Sequence, residues 1–276
     1  MSNEIKQHYS IDDLRYLVSR LRDAKTGCPW DIKQSYRSLA NNTLEEVYEV
    51  IDAIERDDHP NLSEELGDLL FHIVFYSHIG NENGQFDFDQ ITSLITEKLI
   101  RRHPHVFPEG ILESSRSGNT MLREDKISFV WEQIKTQERK NKGSTKTLDD
   151  IPVALPALAR SLKIQKRAAQ VGFDWHDIPS VLKKFNEELL ELEAEIESAN
   201  KEGIEEEMGD LLFTCVNLAR HLKVDPEKVL RGSNTKFKKR FDIMESLVEN
   251  NDLSNFTADQ LEYFWIRAKE LERESH

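Results

Sequence analysis

The sequence predicts an all-α protein made of tandem duplicated helical-bundle domains. Apolar residues recur every three or four positions along nearly the whole chain, and no segment sustains the alternation of a half-buried strand. In addition, LSEELGDLLF at 62–71 returns as IEEEMGDLLF at 204–213, 142 positions later. Apolar runs such as LLF recur by chance in helical proteins. A carboxylate pair flanking a glycine, placed identically before both runs, does not.

The elements follow in order. Helical patterns cover 11–24, 43–56, 63–82, 88–102 and 121–139, then 156–170, 178–200, 204–222, 226–249 and 257–274. Ser10 before IDDL, Thr43 before LEEV and Asp225-Pro226 before EKVL supply start signals, because a small polar side chain caps free N–H groups and proline suits the first turn. Between the two sets of five, residues 138–155 are polar, with Gly143 and Pro152, and read as a linker. The domains are therefore expected at 10–137 and 156–276.

Compared as repeats, the halves share further landmarks. LEEVYEV (44–50) matches NEELLEL (186–192), and Glu45 and Glu187 each stand 20 residues before Glu65 and Glu207. KLIRRH (98–103) matches KFKKRF (236–241), pairing Lys98 with Lys236 and Arg102 with Arg240. WEQIK (131–135) matches WIRAK (265–269), pairing Trp131 with Trp265 and Lys135 with Lys269. Two repeats are too few for a solenoid and suit two related domains.

Composition narrows the function. Hydrophobic residues make up 38% and charged residues 32%, with a mean hydropathy of -0.61. No apolar run approaches the roughly 20 residues that cross a bilayer, so no membrane partner is expected. The start, MSNEIKQHYS, lacks the layout of a signal peptide, and the expected compartment is the cytoplasm. Cys28 and Cys215 stand far apart, which argues against a disulfide framework or a cysteine zinc site. A net charge of -14 argues against nucleic acid as partner. It leaves room for a polyphosphate carried by metal ions, because the cation reverses the local charge logic. No P-loop, Rossmann or nucleophile-elbow motif is present, and His72, His78, His103 and His105 form no zinc motif.

The acidic spacing is more informative. Each half offers E-E-x-x-E on one helix and E-x-x-D on the next, and residues three or four apart share a face. Glu188 and Glu191 therefore share a stripe, as do Glu207 and Asp210. A short connection around Gly203 makes the two helices antiparallel, so four carboxylates can converge. The same argument joins Glu46 and Glu49 to Glu65 and Asp68. Such a cluster repels itself unless a cation balances it, and Mg²⁺, with its preference for oxygen, is the natural candidate. E-E-x-x-E alone is worth little in a chain with 51 acidic residues; joined to E-x-x-D at fixed spacing and duplicated, it points to a site. Gly67 and Gly209, each costing a helix about 1 kcal/mol, are expected to serve either a close helix approach beside the carboxylates or plain helix packing. Lys236, Lys239, Arg240 and Lys269 can grip phosphate oxygens while Trp265 packs on a base; the other reading, which stays open, is that each cation balances nearby acids and the tryptophan belongs to the core.

LEEVYEV…SEELGDLLF, RRHPHVF (101–107), QKRAAQVGFDW (165–175) and NEELLEL…EEEMGDLLF closely resemble the full-length bacterial MazG proteins. These are nucleoside triphosphate pyrophosphohydrolases of the all-α NTP pyrophosphatase superfamily, and the resemblance runs over roughly residues 10–274. It implies cleavage between the α and β phosphorus atoms, giving monophosphate and pyrophosphate. It also implies dependence on Mg²⁺, with Mn²⁺ as a substitute, tolerance of many bases including that of ATP, a homodimer, and a role in clearing unwanted nucleotides. Carried over by motif, the metal ligands are Glu188, Glu191, Glu207 and Asp210, with their counterparts Glu46, Glu49, Glu65 and Asp68. Glu187 becomes a group behind the ligands that positions water; Lys236, Arg240, Trp265 and Lys269 fall at nucleotide contacts. Two other readings stay open: a helical scaffold whose acids only bind cations, and a pyrophosphatase restricted to dUTP or dCTP.

The halves diverge after the basic segment. Pro104 is expected to end the first helix just past Arg102, whereas FDIMESLVEN lets the second continue past Arg240. A site on regular helix is better preorganised. Residues 156–276 are therefore favoured as the principal active half.

Overall fold

The computed structural model describes residues 8–116, 124–141, 143, 146–248 and 252–274. Among them every regular element is a helix: α1 (Ile11–Leu21), α2 (Pro29–Ile32), α3 (Tyr36–Glu55), α4 (His59–Glu82), α5 (Phe88–Arg102), α6 (Glu124–Asn141), α7 (Ala157–Gln170), α8 (Ile178–Glu197), α9 (Lys201–His221), α10 (Pro226–Ser246) and α11 (Ala258–Glu274). The start of the expected helix over 121–139, the last residue of that over 226–249, and positions 142, 144 and 145 of the linker lie outside the described residues, as does the reading made from residues 1–7. The chain divides into two compact units, Met1–Lys135 and Thr136–His276, with the boundary inside α6. Because α6 runs through Asn141, the first residues of the expected linker are helical.

In the first unit α4 is the central helix, packed by α3, α1 and α5. Its apolar face closes a core of Val18, Leu39, Val74, Phe75 and Ile79, with Leu14, Tyr36, Phe71, Tyr76 and Phe88 around it. Ser10 caps α1 in a reciprocal box with Asp13, as its position before IDDL predicts. Thr43 does not start a helix. Ser35 caps α3 instead, and Thr43 lies two turns inside, its hydroxyl bonded back to the Leu39 carbonyl at 2.9 Å. The stretch YRSLANN carries too few apolar residues for its periodicity to be read. The four-residue α2, opened by Pro29, is also new.

In the second unit α8 and α9 form a closely packed hairpin, α7 lies on α9 and α10, and α11 on α10. Val181, Leu192, Val216, Met244 and Ala268 are buried. Gln165 of α7 donates to the Phe213 carbonyl of α9 at 2.8 Å. Asp225 caps α10, accepting from the Lys228 N–H at 2.9 Å. Gly203 is not the connection: it lies within the first turn of α9, and Ser198–Asn200 make the turn.

Both hairpins turn in the same way. Asp57 (φ 56°) and Ala199 (φ 54°) hold the left-handed conformation just past α3 and α8. The next N–H then reaches back to a carbonyl five residues earlier, Asp58 to Ala53 at 3.0 Å and Asn200 to Glu195 at 3.1 Å. The turn satisfies free carbonyls and sends the chain back antiparallel, bringing the two acidic motifs of each repeat face to face.

Candidate functional site

In the first unit, α3 supplies Glu46 and Glu49 and α4 supplies Glu65. Ligand atoms of the three carboxylates lie within 4.8 Å of one another. Asp68 is outside that set, yet its charge is the leading neighbouring charge on Glu46. Partial burial, then repulsion from neighbouring acids, pushes the carboxyls of Glu46, Glu49 and Glu65 above the ordinary carboxylate range. Behind Glu46 stands His72, buried, with Nδ1 2.9 Å from the Thr43 hydroxyl and Nε2 3.7 Å from Glu46 Oε1. Burial pushes the imidazole below its usual pKa, against the pull of Asp68.

In the second unit the corresponding set is Glu188 from α8 with Glu207 and Asp210 from α9, again within 4.8 Å. Glu191 falls outside it but is the leading neighbouring charge on Glu207, whose carboxyl is raised first by burial and then by these acids. This set has a built-in cation. Lys184 Nζ lies 2.7 Å from Glu187 Oε1 and 2.7 Å from Glu188 Oε1. The two carboxylates push the ammonium pKa up, and the Lys184 hydrogen bond holds Glu187 below the usual range. Glu188 itself is only 4% exposed.

Sequence reasoning missed Lys184. Its counterpart 142 positions earlier is Asn42, so a search for matched landmarks discards it. The available signal was its place three and four residues before Glu187 and Glu188, on one helical face. His72 is likewise unmatched, since Thr214 takes its place.

Both donor sets are all-oxygen, anionic and confined to a few ångströms, and Glu46, Glu49 and Glu65 of the first and Glu207 of the second are raised first by burial and then by neighbouring acids. That chemistry fits a hard divalent cation. The expected role of the glycines does not hold among the described residues: there, a Cβ at Gly67 or Gly209 would meet nothing within 4 Å. Beside them α4 exposes Leu66, Leu70 and Ile73, and α9 exposes Met208, Leu212 and Cys215, in each case at spacings of four and three along one face. Within its own unit, each of these stripes is left exposed among the described residues.

The basic and aromatic residues form a separate group on α10 and α11. The Arg240 guanidinium lies 6.0 Å from the Trp265 ring centre and donates from Nε to Glu272 at 2.6 Å. Phe237 packs on Trp265 with ring centres 5.1 Å apart. Lys236 is exposed and Lys269 half-buried on the same two helices. In the first unit Lys135 Nζ lies over Trp131 at 4.6 Å, and α5 ends at Arg102, as Pro104 requires. In contrast, α10 continues past Arg240 to Ser246.

The model of the MazG nucleotide pyrophosphohydrolase domain matches this chain twice, over residues 34–107 and 177–243, each match holding one carboxylate hairpin and one basic segment. The chain belongs to the MazG family. Over 95% of its length it is 46% identical to a nucleoside triphosphate pyrophosphohydrolase of Escherichia coli strain K12, covering 98% of that protein. It is 40% identical to the nucleoside triphosphate pyrophosphohydrolase/pyrophosphatase MazG of Thermotoga maritima, over 94% of this chain and 95% of that one. An uncharacterised Bacillus subtilis protein, YabN, is 37% identical over 97% of this chain but only 53% of its own length. The tandem pair of domains thus spans the whole of some MazG relatives and part of a longer one.

Proposed function

We propose that the chain hydrolyses nucleoside triphosphates between the α and β phosphorus atoms, releasing monophosphate and pyrophosphate, with Mg²⁺ (or Mn²⁺) held by the hairpin carboxylates. The observation that carries this reading is the twice-built set of converging carboxylates in a chain of the MazG family. In the second unit Glu188, Glu207 and Asp210, with Glu191 beside them, would hold the ion; in the first, Glu46, Glu49 and Glu65, with Asp68. A bound divalent cation supplies charge neutralisation at the phosphate oxygens and a water of lowered pKa.

The chain's own residues supply the rest. Water attacking phosphorus must lose a proton, and a carboxylate oxygen of the cluster accepts it. Glu187, kept ionised by Lys184, is a second acceptor at the edge of the cluster. The Lys184 ammonium and the Arg240 guanidinium offer donors to oxygens that gain charge as the pyrophosphate leaves. Lys236 and Lys269 add positive charge for the triphosphate, and Trp265 offers an apolar face to the base. A flat ring does not read base edges, which supports tolerance of many bases and a role in nucleotide clearance. The substrate supports a cytoplasmic setting.

The second unit is the principal active one in this reading, because Lys184 and an uninterrupted α10 belong to it alone. The protein acts as a homodimer, its exposed stripes on α4 and α9 covered by a second copy. Closely spaced apolar side chains on an uncovered helix support that assembly.

The test is a panel of triphosphates with Mg²⁺ in ¹⁸O-labelled water, with chromatography of products. Monophosphate carrying the label is expected across several bases. Diphosphate and orthophosphate as main products would sink the assignment, and turnover of dUTP or dCTP alone would replace broad tolerance by a restricted enzyme.

A further inference from the structure

The repeats share a further acidic residue on the helix that carries the Trp and Lys landmarks. Trp131, Lys135 and Glu138 are matched by Trp265, Lys269 and Glu272 at the same spacings of four and three. Those spacings keep all three side chains on one narrow helical stripe. In α11 the stripe meets α10: Arg240 Nε donates to Glu272 Oε2 at 2.6 Å, and Lys239 Nζ lies 3.9 Å from Glu272 Oε1. The Glu272 side chain is 14% exposed and that of Arg240 24%, so the pair is largely removed from water. Trp265 lies beside the same guanidinium.

We propose that Glu272 is a positioning residue for triphosphate binding, holding Arg240 by its Nε so that the Nη groups are presented to phosphate oxygens. The proposal rests on the reading above, in which Arg240 binds phosphate. A guanidinium is planar, with one donor on Nε and four on the two Nη atoms. Fixing Nε fixes the plane, and bidentate phosphate recognition depends on that plane being set before the ligand arrives. Lysine at this place could not do the same, since an ammonium has no second donor edge to pin.

A carboxylate that merely balanced charge would act in the opposite sense. Beside a phosphate site a negative group repels the ligand, so removing it would tighten binding. If Glu272 positions Arg240, removing its charge weakens binding instead. The sign of the effect separates the two roles.

The test is a double-substitution cycle with Mg²⁺-ATP, following pyrophosphate release by Glu272→Gln, Arg240→Lys and the double variant, each checked for folding by circular dichroism. Glu272→Gln is expected to raise KM about five-fold or more with kcat within about two-fold, as for loss of binding shared by ground and transition states. In the Arg240→Lys background the same substitution should change KM by less than about 1.5-fold, because its target is gone. A KM equal to or below wild type in Glu272→Gln would overturn the proposal. So would effects that multiply in the double variant, since Glu272 would then act independently of Arg240. Glu272→Asp, which keeps the charge but shortens the reach, replaces Glu272→Gln in the cycle if the latter does not fold. A wild-type chain that releases no pyrophosphate would overturn the functional reading itself, and the proposal with it.

Discussion

Replacing Lys184 by methionine isolates the built-in cation of the second carboxylate set while keeping a side chain of similar length. In the structure Lys184 Nζ is 2.7 Å from Glu188 Oε1, and Glu188 is buried. Breaking a fully buried ion pair from one side costs about 3–5 kcal/mol, because the other charge stays buried and unbalanced. The Lys184 side chain is 32% exposed, so water recovers part of that, and a loss of about 2 kcal/mol is the reasoned figure. For a unit of this size about 2–4 °C of melting temperature accompanies each kcal/mol, giving a fall of about 4–8 °C. The assay is differential scanning calorimetry in EDTA and then in Mg²⁺. In EDTA the variant should melt below wild type by that margin. In Mg²⁺ the gap should narrow, since an ion at ten times its Kd adds about 1.4 kcal/mol and no longer competes with an ammonium for Glu188. Equal melting in EDTA, with equal shifts on adding Mg²⁺, would refute the argument that Lys184 balances Glu188.

Three further outcomes follow from the site and its scaffold. Glu188→Ala/Glu191→Ala should lower kcat at least about 100-fold while Glu46→Ala/Glu49→Ala leaves most activity, as steady-state kinetics on folded variants would show; loss confined to the first-unit pair would reverse the assignment of the active half. Asp174 accepts from Arg220 Nη1 at 2.9 Å, and the Arg220 hydrogen bonds hold its carboxyl below the ordinary range. A lowered folded-state pKa gives stability above the unfolded value of about 3.9 that is lost as pH falls through the folded one, so Asp174→Asn should be about 1–3 kcal/mol less stable in urea at pH 7, the gap starting to close only below about pH 4 and vanishing below the folded value. Under the proposed homodimer, Leu70→Glu with Leu212→Glu places charge on both exposed stripes and should shift sedimentation velocity from dimer to monomer; a dimeric variant would mean the copies meet elsewhere, and a monomeric wild type would refute the proposed assembly.

How much of this was legible depends on whether a feature lives on one helix. E-E-x-x-E and E-x-x-D are single-helix patterns tied to an adjoining apolar run, so the residues that converge could be named from spacing. Which of the four stand closest could not, because that depends on how α8 is rotated against α9, and Glu191 and Asp68 fall just outside. The acid partner of Arg240 lies 32 residues away on another helix, and no local pattern links them. Thr43 misled because a hydroxyl that caps a helix start can equally bond back within a turn. Gly67 and Gly209 signalled a neighbour that the described residues do not supply.

The turns at Asp57 and Ala199 have a consequence for how freely the hairpins can be altered. A residue with a Cβ in the left-handed region carries a penalty of about 1 kcal/mol that glycine does not. Gly84 and Gly172 avoid that penalty past other helices of the same chain, whereas the two acidic hairpins do not. Glycine at 199 would relieve the strain but also loosen the unfolded chain and widen the range of angles the turn can adopt. The side chain at this corner therefore works as a stiffener: it narrows the hinge about which α8 and α9 could scissor, and thereby limits how far Glu188 can drift from Glu207 before any ion arrives.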